Sequence, residues 1–392
     1  MTEVRERIEK LGDFFEETAA ASEQAGKLTD DVVEKLKWVG VVRMLQPKEF
    51  GGDEAHPVEF FEAVLDLGSR NGATGWVASV VGVHPWEFAQ ADLSIQEEIW
   101  GEDPDTWTAS PYAPMGRLTK VDGGYIANGR WSFSSGTDHC QWIILGAVIV
   151  DEGSAAPGAN GGHGTQVHIV LPRSDYEIVD GSWSVIGLEG TGSKDILIKD
   201  TFIPERRIVR PDSLADTLAE RGRDNALYRM PFSVMFSGAI ACGSLAIAEG
   251  ALRTFTEYAA SRVDSKGSAA SSNPHQLVAL AEAAADISAS RLQFLDDIHQ
   301  IYRLAEKGAD IPAAARLQVR RNQVRAVRRA TTAVDQLFVH GGGAALRRDQ
   351  PFQRFFRDMH AAQNHANNAA ELTYEGWGRN LFGLSVPPGV RF

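Results

Sequence analysis

The groups best suited to chemistry in this chain are hydroxyls beside glycine and histidines beside helix-breaking residues. The tract Trp131-Ser132-Phe133-Ser134-Ser135-Gly136 continues through Thr137, Asp138, His139, Cys140 and Gln141 to Trp142, then enters the apolar run Ile143 to Leu145. Small hydroxyl residues followed by glycine let the backbone approach a flat polar ligand, and the flanking tryptophans can pack on it. That is the form of a cradle for a ring system such as a flavin. A second tract, Gly187-Leu188-Glu189-Gly190-Thr191-Gly192-Ser193, leads into Ile196-Leu197-Ile198 and Phe202-Ile203-Pro204. Glycine turn, β-branched run and closing proline predict a barrel edge. His84 directly precedes Pro85; proline pushes the preceding residue out of helical geometry, which predicts a break in an apolar helix with an imidazole facing a cavity. His365 lies beside Asn364, Asn367 and Asn368, where an imidazole can donate a hydrogen bond and titrate near neutral pH. Ser110 falls 26 residues after His84 and 25 before Ser135; alone, either serine suits a turn.

These groups must be positioned by three differently textured segments. From 1 to 105 the pattern is helical: Val4, Ile8, Leu11, Phe14 and Phe15 recur at helical spacing, Thr29-Asp30-Asp31 caps a helix that stops at Gly40, and Pro57 opens another. From 106 to 212 short β-branched runs alternate with glycine and proline, which predicts a β-barrel or sandwich, the central β-barrel being the form expected here. Within it, Gly153 to Gly164 reads as a hairpin loop. From 213 to 392, after a charged connector (Arg210 to Arg229), four long helical stretches each open with proline at Pro231, Pro274, Pro312 and Pro351. Long apolar faces with short breaks predict an antiparallel four-helix bundle. The fold class expected is α+β.

Composition narrows the function. The chain has 392 residues, 43% hydrophobic and 23% charged, so one large shared core is affordable. A net charge of -13 argues against nucleic acid as partner, because phosphate binding needs a basic face. Cys140 and Cys242 are the only cysteines, too few for a disulfide framework or a zinc site, and both sit in small or apolar contexts that suit core packing. The charged start, Met1 to Lys10, lacks the core of a signal peptide, and no uninterrupted apolar span is evident, so neither membrane nor metal is expected and a cytoplasmic place is. The glycines from 187 to 192 lead into a strand rather than a helix, which argues against a dinucleotide-binding loop and direct NADH oxidation.

Beyond the two tracts, the chain carries Gly75-Trp76-Val77-Ala78-Ser79, Val81-Gly82-Val83-His84, Gln96 to Pro104, Tyr112-Ala113-Pro114-Met115-Gly116, and Phe356-Arg357-Asp358 with His360 and His365. In this order, over nearly the whole chain, they resemble the acyl-CoA dehydrogenase fold, and within it the flavin-dependent monooxygenases that serve as oxygenase components of two-component phenol hydroxylases. The resemblance implies an oxygenase that takes reduced FMN, or FADH2, from a separate NAD(P)H-flavin reductase. It uses O2 to convert a phenol, such as a steroid-derived one, to a catechol through a C4a-hydroperoxyflavin. It places His84 on the phenol oxygen, Ser110 on the substrate, Ser135 (with Ser134 as rival, one register step away) at flavin N5, and His365 beside C4a. It makes Trp131, Ser134, Gly136, Thr191 and Ser193 part of the flavin cradle and Arg262 a phosphate ligand. Gly342 falls where dehydrogenases hold the far end of FAD across a subunit interface, and a homotetramer is expected. Trp86, Phe88 and Tyr112, with Trp76 and Met115, would line an apolar pocket.

An acyl-CoA dehydrogenase-like activity is the alternative. In those enzymes a catalytic glutamate often lies nine residues after the arginine of an Arg-Asp pair; here that position is Ala366, and Glu375 comes nine residues too late. Oxygenation of nitrogen or sulfur by a relative of the same fold is a further alternative, and a flavin-binding protein without turnover would leave His84 and His365 without a role.

Overall fold

A computed structural model describes residues 2–150, 164–210, 225–263, 270–308, 310–390 and 392. Most of the glycine-rich hairpin loop and most of the charged connector expected from the sequence lie outside the described residues.

Among the described residues, eleven α-helices flank a mixed sheet. The first six are α1 (Glu3–Lys10), α2 (Gly12–Ala25), α3 (Asp30–Val39), α4 (Pro57–Arg70), α5 (Gly72–Phe88) and α6 (Leu93–Trp100). The periodic run from Val4 to Phe15 is two helices, divided at Leu11, rather than one. Gly40, in the left-handed conformation, ends α3 as expected.

Strands follow: β1 (Thr108–Ala109), β2 (Gly116–Val121), β3 (Gly124–Ser134), β4 (Trp142–Ile149), β5 (Thr165–Pro172), β6 (Glu177–Val179), β7 (Lys194–Pro204) and β8 (Ile208–Val209). Pairing runs β6-β7-β3-β2-β4-β5-β8, with β1 on β4, so β6 and β8 are the ends of the ladder. β1 and β2 both pair parallel with β4, which brings the intervening residues 110–115 across it. Gly146 makes this approach possible, since a Cβ there would lie 2.1 Å from the Tyr112 carbonyl oxygen.

The bundle consists of α7 (Phe232–Ser261), α8 (Pro274–Glu306), α9 (Ala313–Gly341), and a fourth stretch in two pieces, α10 (Pro351–Gln363) and α11 (Glu371–Leu381). The expected single helix from Pro351 to Trp377 is interrupted at His365, whose backbone is extended (φ -62, ψ 138). Asparagines on either side compete for backbone hydrogen bonds and favour such a turn. Contrary to expectation, α7 is long and apolar enough to cross a bilayer, with mean hydropathy 1.5 in its best window, yet 89% of that window is buried by the rest of the protein. It is the central core helix, packed on α4, α5, α9 and α10.

Helix α5 also departs from the sequence reading. It continues through Pro85, and every residue from Gly72 to Phe88 is buried. A proline inside a helix costs about 3 kcal/mol through a lost hydrogen bond and a ring clash. Burial of Trp86 and Phe88, each contributing roughly 1.5–3 kcal/mol or more by its apolar surface, offsets that cost. Asn71 starts the helix, its side chain accepting from Thr74 N–H at 3.2 Å and donating to the Phe15 carbonyl at 3.1 Å. α4 and α5 touch backbone to backbone, because a Cβ on Gly75 would lie 2.2 Å from Gly68 Cα.

A Gly75→Ala substitution must therefore push α4 and α5 apart. The expected loss is about 1–3 kcal/mol of unfolding free energy, measured by urea titration; an unchanged midpoint would show that the helices separate freely.

Candidate functional site

Two clusters of polar side chains lie along α5. At its N-terminal end Trp76 donates its indole N–H to Ser135 Oγ at 3.2 Å, and its ring lies 6.0 Å from the His365 ring. Ser135 Oγ is also 2.7 Å from Ser193 Oγ, which is 2.7 Å from Thr191 Oγ1. Thr191 donates to the Leu188 carbonyl at 2.7 Å, so the donors point along the chain and leave Ser135 as its outer member. His365 Nδ1 accepts from Asn367 N–H at 3.1 Å, which places the proton of the neutral ring on Nε2.

The two serines of the first tract are not equivalent. Ser134 is fully buried with its hydroxyl unpartnered, whereas Ser135 is partly exposed. Between Trp131 and Ser134 the ladder to β7 slips, and Phe133 adopts φ 67 with 70% of its surface exposed. A left-handed phenylalanine is a backbone outlier of a kind that clusters at functional sites. Its ring meets Trp183 edge-on at 6.1 Å. Trp131, expected to pack on a ring ligand, instead points into the sheet: it is 0% exposed and donates to the Gly146 carbonyl at 2.8 Å. The register slip explains the exchange, because one displaced residue reverses which aromatic faces outward. Gly136 lets the turn pack against α5. Its φ is 71, and a Cβ would lie 2.9 Å from Val77 Cγ1 on α5.

The second tract is held in place from the bundle. Asp358 on α10 accepts the Leu188 N–H at 2.6 Å, and Arg357 donates to the Ile186 carbonyl at 3.0 Å. Burial pushes the Asp358 carboxyl up to about 6, against the pull of the Leu188 N–H and the Arg357 charge.

At the other end of α5, His84 is buried and both its ring nitrogens are engaged: Nε2 with Ser110 Oγ at 2.7 Å, Nδ1 with Tyr112 Oη at 3.1 Å. Tyr112 donates to Glu87, and Glu87 Oε1 is 3.1 Å from His168 Nδ1. Phe232 and Phe236 of α7 pack around Tyr112 at 5.3 and 4.7 Å. Burial holds the His84 imidazolium down to about 3, so the ring is neutral at any working pH. Ser110 and Tyr112 are partly exposed, whereas His84 is 1% exposed.

Not all expected residues converge. Trp86 is 2% exposed and donates to the Leu227 carbonyl at 2.8 Å, and Phe88 belongs to a separate apolar cluster with Trp100, Ile144 and Val170, so neither lines a pocket. With α5 unbroken, their ring positions face the protein's own core. Arg262 and Gly342 do meet: a Cβ on Gly342 would lie 2.5 Å from the guanidinium, which donates to the Gly341 carbonyl at 2.5 Å. Trp76 packs at Gly243, and Arg262, just past the end of α7, follows 19 residues later, about 28 Å along the helix axis at 1.5 Å per residue. His360 pairs with Asp335 at 2.8 Å, and both cysteines are buried as packing. Among the described residues no His, Cys, Asp or Glu group is arranged to hold a metal ion.

Glu87, His168, Phe133 and the role of Asp358 were not foreseen. Glu87 is three residues after His84, hence on the same helix face, a relation hidden by reading Pro85 as a break.

Residues 238–369 match the family described as acyl-CoA dehydrogenase, C-terminal domain. A pigment production hydroxylase of Rhodococcus erythropolis is 45% identical over 366 residues, spanning 93% of this chain and 92% of its own. The flavin-dependent monooxygenase oxygenase subunit HsaA of Mycobacterium tuberculosis is 39% identical over 386 residues, spanning 97% of this chain and 95% of its own. The crystal structure of the M. tuberculosis HsaA monooxygenase superposes with a TM-score of 0.90 at 38% identity, covering 99% of this chain and 98% of that one. The chain belongs to the flavin-dependent monooxygenases of the acyl-CoA dehydrogenase fold.

As a member of that family it is the oxygenase component of a two-component system and takes reduced flavin from a separate reductase. The residues at Ser135 fit a flavin: the hydroxyl chain and His365 offer polar groups, while Phe133 and Trp183 offer aromatic surface. The missing dehydrogenase base agrees with the oxygenase assignment, since Ala366 occupies the position and His365 stands beside it.

Asp358 makes a pH-dependent contribution whose sign is fixed by its raised value. Stability from this group is fully present below its unfolded value near 3.8 and is lost as pH rises through about 6. Asp358→Asn keeps an acceptor for Leu188 but cannot ionise. Its unfolding free energy relative to wild type is expected to rise by up to about 3 kcal/mol between roughly pH 4 and 6.5, read from denaturant titrations at each pH. A difference that stays flat would show that Asp358 does not titrate in that window.

Proposed function

We propose that this monooxygenase ortho-hydroxylates a phenol whose oxygen hydrogen-bonds to Ser110, with His84 behind it and the flavin ring against Ser135, Phe133 and His365. The observation that carries this reading is that Trp76 and His84 lie eight residues apart on one buried helix, about 12 Å at 1.5 Å per residue. That spacing leaves room for a substrate between two polar clusters.

The bound reduced flavin activates O2 and supplies the oxygen atom. The protein's own groups hold the reactants. Ser110 accepts the phenol proton and so raises electron density at the ortho carbon. His365 carries its proton on Nε2, a donor of the kind that stabilises developing charge at the ring, while Ser135, whose own hydroxyl hydrogen goes to Ser193, offers an acceptor lone pair to a ring N–H. Ser134, buried beneath, takes the less exposed place of the pair. Thr191 and Ser193 fix the Ser135 hydroxyl. Phe133 and Trp183 cover the ring in the place once expected of Trp131, and the buried apolar walls exclude water.

The substrate class we favour is a bulky, steroid-derived phenol, supported by the HsaA relatives and by the resemblance to the secosteroid hydroxylase of bacterial cholesterol breakdown. FMN is the favoured flavin, with FAD as the alternative. A homotetramer is supported by the distance of Arg262 and Gly342 from Trp76: in such an assembly they would serve a neighbouring copy's flavin. A cytoplasmic place fits the need for reduced flavin made from NAD(P)H.

The test is turnover with a flavin reductase, NAD(P)H, FMN and a panel of phenols from simple to steroid-derived, with product read by mass. The expected product is a catechol. His365→Asn is expected to bind reduced FMN as wild type does, yet to lose about a hundredfold or more in catechol formed, with hydrogen peroxide in its place. Full catechol yield from His365→Asn, or no conversion of any phenol by wild type, would overturn this reading.

A further inference from the structure

We propose that Glu87 is the terminal proton acceptor of a buried hydrogen-bonded relay, Ser110–His84–Tyr112–Glu87, which reaches solvent through His168. This rests on the reading that a phenol binds at Ser110, and deepens it by saying where the phenol's proton goes.

The direction of every bond follows from one proton. Tyr112 has a single hydroxyl hydrogen and gives it to Glu87. Its oxygen must then accept from His84 Nδ1–H across 3.1 Å. A neutral imidazole carries one N–H, so Nε2 is bare and accepts the Ser110 hydroxyl hydrogen across 2.7 Å. Ser110 is left with open lone pairs, and only a donor can complete it. A phenol O–H is such a donor.

The same chain can move a proton. The phenol O–H bond breaks and its proton goes to Ser110 Oγ as the serine proton passes to His84 Nε2. The His84 Nδ1 proton passes to Tyr112 Oη, and the Tyr112 proton to Glu87 Oε2. The products are a phenolate and a protonated Glu87; His84 stays neutral and exchanges one tautomer for the other. Burial makes this passage necessary, because an imidazolium at His84 is disfavoured until about pH 3. His84 can hand a proton on but cannot keep it.

The far end has the exposure that the middle lacks. The Glu87 side chain is 3% exposed and the His168 side chain 14%, with 3.1 Å between Glu87 Oε1 and His168 Nδ1. His168 comes from β5, opposite Gly146 on β4, a position whose missing side chain leaves room for Tyr112. Three elements thus meet here. Among the described residues, the titratable groups that face Glu87 are His84 on its own helix, Tyr112 from the stretch before β2 and His168 from β5; α7 adds Phe232 and Phe236 around Tyr112 and His168. Glu87, Tyr112 and His168 act through His84 and Ser110 and so are positioning residues.

The experiment is fluorine NMR of 4-fluorophenol bound to the full chain with oxidised FMN, titrated with pH, for wild type, Glu87→Gln and Tyr112→Phe. The phenylalanine variant keeps the ring packing and cuts the relay, which guards against misfolding of the first. In wild type the bound phenol is expected to ionise about one pH unit or more below the free phenol. Both variants are expected to bind the neutral phenol within about threefold of wild type and to return its ionisation to the free value or above. Variants that bind and ionise the phenol as wild type does would overturn the relay. So would a wild-type phenol that binds with unshifted ionisation, which leaves the phenol site itself standing. Failure of wild type to bind the phenol while flavin still binds would remove both.

Discussion

Helix α5 is the constraint on which the site depends. It is buried on every side, gripped by Gly68 of α4 at Gly75 and by α7 at Trp76 and Ser79, whose hydroxyl donates to the Ala239 carbonyl at 2.6 Å. A helix so enclosed cannot slide or rotate without breaking close packing. Its two ends therefore hold the Trp76 indole and the His84 imidazole at a set separation and on set faces. The sheet and the bundle bring the remaining groups to it: Ser135 and Ser110 from either side of β2 and β3, His168 from β5, His365 from the break after α10.

That break shows how the bundle adapts to the site. A continuous fourth helix would have placed residue 365 in a regular turn. The Asn-rich interruption gives His365 an extended backbone and occupies Nδ1 with the Asn367 amide, so the tautomer is set by local structure. The neighbouring Asp358 ties the same helix to the Gly187–Ser193 loop, coupling the histidine's helix to the serine chain that ends at Ser135. The serine, threonine and imidazole members of both clusters are neutral, and the one carboxylate, Glu87, is held by Tyr112 and His168, because an isolated buried charge would be costly. Hydroxyl and imidazole chains satisfy one another's donors and acceptors.

Much of this was legible in the sequence. The order of helical, β and helical segments, the proline-opened bundle helices and the pairing of hydroxyls with glycine all rest on local periodicity and turn chemistry, which a chain carries in its own neighbours. His84 with Ser110, and Ser135 with His365, could be named because a long resemblance places them. What was not legible depends on tertiary override. Pro85 signals a break, yet full burial keeps α5 helical, and with the break assumed Glu87 could not be seen on the face of His84. Trp131 and Phe133 differ only by a register slip in β3, which nothing in the local pattern announces. His168 sits in an ordinary β-branched run and acquires meaning only from Gly146 across the ladder. The composition of α7 likewise reads as membrane-spanning or core, and only packing decides.

The measurement that tests this account most directly is a crystal structure with FMN and a phenol bound together. The account predicts the phenol oxygen on Ser110 Oγ, with Ser110 still on His84 Nε2, and the flavin ring edge at Ser135 with Phe133 over its face. A phenol oxygen bonded directly to His84 with Ser110 turned away, or a flavin ring remote from Ser135, would contradict it.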